Sequence, residues 1–261
     1  MSDKNTELEK KPESTEPEED ESGKMSFLDH LDELRKRLLH IVAYLFGGTI
    51  LCFLFHEEIY NFIAVPIKPH LDKLVITKVT SGFLLYMKVA LLGGVFLTIP
   101  GTLYEVWKFI APGLYQKEKR YVIPFLLTSI VLFLLGGAFC YYYALPATVG
   151  WLLDFAKAFN PLIEATSYFD MVIMMIIGFG LIFEMPVVIA FLSIFGLVSS
   201  KFLFKNFKYA VLILVSLAAI LSPTADAFNL VIWSGPMVLL YGASIGVAFF
   251  IERLKRKKES S

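Results

Sequence analysis

The residues best placed for chemistry are carboxylates in unusual surroundings. Glu184 stands in GFGLIFEMPVVIAF, near the middle of a long apolar run. A carboxylate at the centre of a membrane-spanning helix costs roughly 2.5–3.5 kcal/mol on insertion scales. It is therefore expected to face the protein interior or a wet cavity. There it either serves a function or holds two helices together through a hydrogen bond. Pro186, two residues on, removes one backbone hydrogen bond and frees a carbonyl near residue 182, so a kink is expected there. Glu33 and Glu118 form a second group, each flanked by basic residues. Their surroundings leave two chemistries open. They are either ordinary surface ion pairs worth about 0–1 kcal/mol each, or a carboxylate pair that receives a guanidinium, which binds carboxylates bidentately. Lys88 lies about one turn inside the outer end of another apolar run and is expected to snorkel.

Other chemistries find no support in the residue types. The histidines are His30, His40, His56 and His70, and none forms an H-x-x-x-H or H-E-x-x-H pair. No P-loop or Rossmann glycine pattern occurs. The GFG at 178–180 lies in an apolar run, where glycine commonly lets helices approach closely. Cys52 and Cys140 both fall in apolar runs, so no disulfide framework is expected. No enzyme, metal site or cofactor is expected.

The elements that position these carboxylates follow from composition. Hydrophobic residues make up 56% of the 261-residue chain and charged residues 18%. Globular averages are roughly 45–50% and about 25%. With a mean hydropathy of +0.64, the chain reads as an all-α, polytopic membrane protein. Residues 1–24 stand apart as a cytoplasmic tail. They hold nine acidic and four basic residues, a single Leu and no aromatic, too little apolar surface to offset ordering, so disorder is expected. Residues 25–37 fit a short amphipathic helix, with Phe27, Leu28, Leu31, Leu34 and Leu38 on one stripe, lying at the membrane surface and leading into the first span.

Six apolar runs follow, at about 38–55, 82–106, 121–144, 168–195, 209–222 and 227–251. The fifth, about 14 residues, is shorter than the roughly 20 that a span needs, and the sixth is expected to break at Pro236. The spanning domain therefore covers 25–252, and 253–261 form a basic tail. Lys and Arg in the flanks set the orientation. Sixteen lie on one side, around 24–37, 108–120, 201–208 and 253–258, against Lys68, Lys73, Lys78 and Lys157 on the other. Both termini are expected in the cytoplasm, with the loops at about 56–81, 145–167 and 223–227 facing away from it.

Four stretches, in order, carry a resemblance to a known family. HLDELRKRLL at 30–39, PGTLYEVWKFIAPGLYQKEKR at 100–120, FGLIFEMPV at 179–187 and SPTADAFN at 222–229 resemble motifs of the TatC family, the multi-spanning receptor of the twin-arginine protein translocase. The resemblance covers residues 25 to about 255. It implies a six-span, concave, glove-like bundle with short fifth and sixth spans, in the bacterial cytoplasmic (inner) membrane. It also implies a function: binding of twin-arginine signal peptides on the cytoplasmic face, recruitment of single-span partner subunits of the TatA/TatB type, self-association within the receptor complex, and export of folded proteins driven by the proton-motive force.

Residue by residue, the motifs match Glu33 and Glu118 to the carboxylates that receive the twin arginines. Arg35, Phe109, Pro112, Leu114 and Tyr115 match other parts of the recognition surface. Pro66 matches a sensitive position in the first outer loop. Glu184 matches an intramembrane polar site and Asp226 an outer-loop carboxylate near the partner-binding spans. Three features depart from the pattern: Glu105 stands where the family usually has Gln, Asp226 sits in S-P-T-A-D rather than the more usual T-P-P-D, and Gly242 stands where Glu is common, so no polar role is carried over to Gly242. The competing reading is a proton-coupled secondary transporter with Glu184 as its proton site, beside the broken sixth span. The lack of visible internal repeats and the few polar residues in the spans weigh against it.

Overall fold

A computed structural model describes residues 27–68, 74–110, 122–159, 162–224 and 226–259. The expectation of disorder for residues 1–24 lies outside them. The described chain is helical, with α1 (Phe27–Phe53), α2 (His56–Ile63), α3 (Ser81–Ile110), α4 (Val122–Phe139), α5 (Leu145–Ala156), α6 (Ala165–Ile182), α7 (Met185–Ile194), α8 (Ser200–Lys205), α9 (Phe207–Leu221) and α10 (Ala227–Glu259). A π-helical turn at Cys140–Ala144 joins α4 to α5. Val75 pairs with Glu164 in a single isolated bridge, and no strand occurs among the described residues.

Among the described residues, five passes are long and apolar enough to cross a membrane: Asp29–Phe53, Ser81–Ile110, Val122–Ala156, Ala165–Ile194 and Ala227–Leu254. The remaining pass, α9, fifth in chain order, has 15 residues. At 1.5 Å per residue that is about 22 Å, against a hydrocarbon core of about 30 Å. Six passes with one short member match the sequence reading.

Several boundaries differ from it. The expected surface helix and first span are one uninterrupted helix, α1, because no Gly or Pro stands between residues 27 and 46 to end it. The expected outer loop at 145–167 is helical to Ala156, since Pro146 falls in the first turn of α5, where proline's missing N–H costs nothing. The sixth pass is neither short nor broken. α10 runs 33 residues straight through Pro236 and includes the start of the expected basic tail. A proline removes only one ladder bond, and in a bundle the neighbouring helices keep the rest of the helix in place.

The fourth run does break, at Phe183–Glu184. The N–H of Phe183 donates to the Phe179 carbonyl, that of Glu184 to Leu181, and those of Val187 and Val188 both donate to the Glu184 carbonyl. Pro186 has no N–H to continue the ladder, so α6 ends and α7 restarts one turn later.

Small residues bring the passes together, because lipid tails are as apolar as leucine and association rests on close packing. Any Cβ added at Gly94 of α3 would stand 2.8 Å from the Thr49 backbone nitrogen of α1. One added at Gly136 of α4 would stand 3.0 Å from Gly180 Cα of α6. The core lies along α6, where Phe169, Val172, Met175 and Phe179 are fully buried, with Trp233 of α10 against Phe179. The outward faces of the passes stay apolar, as at Phe46, Leu127 and Leu239, the surface expected toward lipid.

Candidate functional site

The α1–α3 contact carries a charge cluster. Glu33 and Arg37 lie four residues apart on α1, so they face each other across one helical turn. The Nε and Nη2 groups of Arg37 both donate to one oxygen of Glu33, Oε1, with Nε at 2.7 Å. The remaining arm of the guanidinium, Nη1, donates to Oε2 of Glu105 on α3 at 2.8 Å. The other Glu105 oxygen faces Tyr44 OH at 3.4 Å and His40 Nδ1 at 3.5 Å. Exposure separates the two carboxylates: the Glu105 side chain is 4% exposed, that of Glu33 17% and that of Arg37 14%. One turn nearer the N-terminus, His30 stacks on Phe109 with ring centroids 4.5 Å apart. Glu33 and Phe109, far apart in sequence, thus meet on one α1–α3 surface. Arg35 is exposed on α1. Pro112, Leu114, Tyr115 and Glu118 lie outside the described residues.

Sequence reasoning missed two members of this cluster. The sequence places Arg37 among the basic flanks and on the polar helix face with Glu33, four residues away, but does not single it out as a site residue. Glu105 stood out only as a departure from the family pattern, and nothing local shows that it is buried.

The other singled-out residues lie elsewhere. Glu184 sits at the α6–α7 junction, half-buried. Its Oε1 is buried without a hydrogen-bond partner among the described residues, and the hydroxyl that interacts with its side chain belongs to Ser129 of α4. It therefore faces protein, as its cost in lipid requires. Pro66 follows α2 at the opposite end of the bundle, between buried Ala64 and exposed Val65 on one side and buried Ile67 on the other. Lys88 does not merely snorkel: it pairs with Asp170 of α6, 82 residues away in the chain.

Asp226 caps α10. Its Oδ1 accepts the Asn229 N–H at 2.9 Å, and its Oδ2 accepts from Thr224 Oγ1 at 2.6 Å and Asn229 Nδ2 at 2.8 Å. Asn229 in turn accepts from Thr148 of α5 at 2.6 Å. Burial pushes the Asp226 carboxyl upward, but the donors from Thr224, Asn229 and Phe228 outweigh it and hold the group below its ordinary value. No group of His, Cys, Asp and Glu among the described residues could hold a metal ion.

A bundle of six apolar passes with a charge cluster at one end defines a multi-spanning helical membrane protein. Comparison with known proteins narrows the class. The family model described as Sec-independent protein translocase protein (TatC) matches residues 29–236. The TatC protein of Koribacter versatilis (strain Ellin345) is 42% identical over 240 residues, covering 90% of this chain and 89% of its own. That of Campylobacter jejuni subsp. jejuni is 34% identical, covering 88% of this chain and 96% of its own. The crystal structure of a twin-arginine translocase receptor, TatC, superposes with a TM-score of 0.76 at 32% identity, over 85% of this chain and 99% of that one. The chain belongs to the TatC family, and its role is that of a protein-translocase component, in transport rather than catalysis.

Proposed function

We propose that this protein is the receptor of a twin-arginine translocase. It binds twin-arginine signal peptides on the cytoplasmic face through Glu33 and Glu118, with Arg35, Phe109, Pro112, Leu114 and Tyr115 shaping the surface. With single-span partners of the TatA/TatB type it exports folded proteins across the bacterial inner membrane, driven by the proton-motive force. Both termini are cytoplasmic in this reading, and residues 25–252 form the receptor domain between an acidic and a basic tail. Glu184, Asp226 and Pro66 serve partner binding or sensitive outer positions. The observation that carries the reading is that Glu33 already binds a guanidinium, on a surface that also presents the Phe109 ring.

The test is affinity for a peptide with two consecutive arginines. Loss of a charge-assisted hydrogen bond costs about 1.5–3 kcal/mol, so Glu33→Gln with Glu118→Gln is expected to weaken binding roughly tenfold to a hundredfold. Wild-type binding by the double variant overturns the assignment. Orientation has its own check. A cysteine placed at Ser260 is expected to resist an impermeant thiol reagent in intact cells, whereas one at Asp72 reacts.

A further inference from the structure

The guanidinium on Glu33 belongs to the protein itself, and its geometry is unequal. Toward Glu33, two Arg37 nitrogens converge on a single oxygen, rather than the parallel fork in which each nitrogen takes its own oxygen. Toward Glu105, Nη1 makes a separate bond to a carboxylate that also has Tyr44 and His40 at hand. Glu33 is the more exposed of the two carboxylates and Glu105 is nearly sealed. Among the described residues, two carboxylates around one guanidinium leave a net negative charge within the cluster when His40 is neutral. An external cation can therefore reach Glu33, cannot reach Glu105, and finds the site under-neutralised.

Resting on the receptor reading above, we propose that Arg37 is a resident placeholder for the ligand's arginine. In the empty receptor it bridges Glu33 and Glu105. On binding, an incoming guanidinium takes Glu33 in a two-oxygen fork, and Arg37 withdraws onto Glu105 alone. Glu105 is then a positioning residue: it never touches the ligand, but it gives Arg37 somewhere charged to go. The exchange leaves each of these charges beside an opposite one in both states, which matters because a buried charge with no partner is costly. It also sets a threshold, since a ligand that cannot displace Arg37 does not engage Glu33.

The proposal makes the effect of Glu105 depend on Arg37. In Glu105→Gln alone, Arg37 loses its charged retreat, and affinity for the twin-arginine peptide is expected to fall by about tenfold. In Arg37→Gln with Glu105→Gln, the competitor is gone, and affinity is expected to rise about two- to fivefold above wild type, the range of a partly exposed ion pair. The double variant removes one positive and one negative charge, so a gain cannot come from net charge, and damage to the fold lowers affinity rather than raising it. Arg37→Lys is the companion variant. It keeps the charge but cannot bridge both carboxylates as a planar fork, so a gain of a few-fold is expected, and it decides the matter should the double variant fail to fold.

The measurement is peptide affinity of the full chain in lipid nanodiscs, with Glu33→Gln alongside. If Glu33→Gln weakens binding while the charge-removed double variant and Arg37→Lys bind no tighter than wild type, Glu33 receives the ligand without any exchange and the placeholder is overturned alone. Should Glu33→Gln bind as wild type, the receptor assignment of Glu33 fails and the placeholder falls with it.

Discussion

Two regions of the molecule hold a carboxylate in a half-dry setting, and they solve the problem differently. At the start of α10, Asp226 is neutralised by hydrogen-bond donors from Thr224 and Asn229, backed by fully buried Thr148. At the α1–α3 contact, Glu33 and Glu105 share one cation. Donors fixed by the backbone of a helix cap cannot be exchanged for a ligand without unwinding the helix. A side-chain guanidinium can be exchanged for another at little cost to the backbone. Of the two regions, the one held by a countercharge is therefore suited to recognition, and the one held by a cap is suited to fixing a helix.

The comparison breaks most visibly at Arg37. Arg37→Ala strands Glu105 in a nearly sealed position, and breaking such a pair from one side costs about 3–5 kcal/mol. Partial relief from His40 and Tyr44 puts the expected loss at about 3 kcal/mol, read as a lower thermal midpoint in detergent. Arg37→Ala with Glu105→Ala is expected to recover most of it; if the double variant is no better than the single, the cluster is not a charge pair in the sense used here.

At the capped end the effects are expected to be smaller, because each donor is neutral. Asn229→Ala removes the group that joins Thr148 to Asp226 and leaves a buried hydroxyl without its acceptor, at about 1–3 kcal/mol. Thr148→Val with Asn229→Leu, which replaces both partners with apolar groups, is expected to be milder than Asn229→Ala alone. The reverse order of midpoints would show that the network does more than satisfy its own members.

Asp226 itself is expected to matter less for stability, at about 1 kcal/mol for Asp226→Ala as a lost helix cap. Its contribution has a pH signature. The folded carboxyl lies below its ordinary value of 3.8, so the stabilisation is present above that value and is lost as pH falls through the folded one. Asp226→Asn keeps the capping oxygen and is expected to flatten the acid limb of the stability curve below about pH 4. An unchanged acid limb in that variant would mean that another group governs it.

The smallest effect is expected at Lys88 and Asp170, whose side chains are 37% and 53% exposed. Exposed pairs contribute about 0–1 kcal/mol. Lys88→Met with Asp170→Leu is therefore expected to leave the thermal midpoint nearly unchanged. A large drop would place this pair with the α1–α3 cluster rather than with ordinary surface charges.

The sequence by itself determined the parts of this protein that depend on near neighbours. Hydropathy over some twenty residues marks six passes, basic flanks suggest their direction, and the missing N–H of Pro186 breaks the fourth run where the ladder needs it. Four motifs in order were enough to point to the family, and the comparisons bear that out. What the tertiary structure decided is pairing between distant segments. Arg37 and Glu105 lie 68 residues apart, and Thr148 and Asn229 lie 81 apart. Nothing in the local pattern around Glu105 tells that it is buried, or around Lys88 that Asp170 awaits it. Pro236 makes the same point from the other side: by local rules it ends a helix, yet α10 continues through it. A lost ladder bond is a local cost of a few kcal/mol, and packing against other passes, which only the assembled bundle supplies, outweighs it.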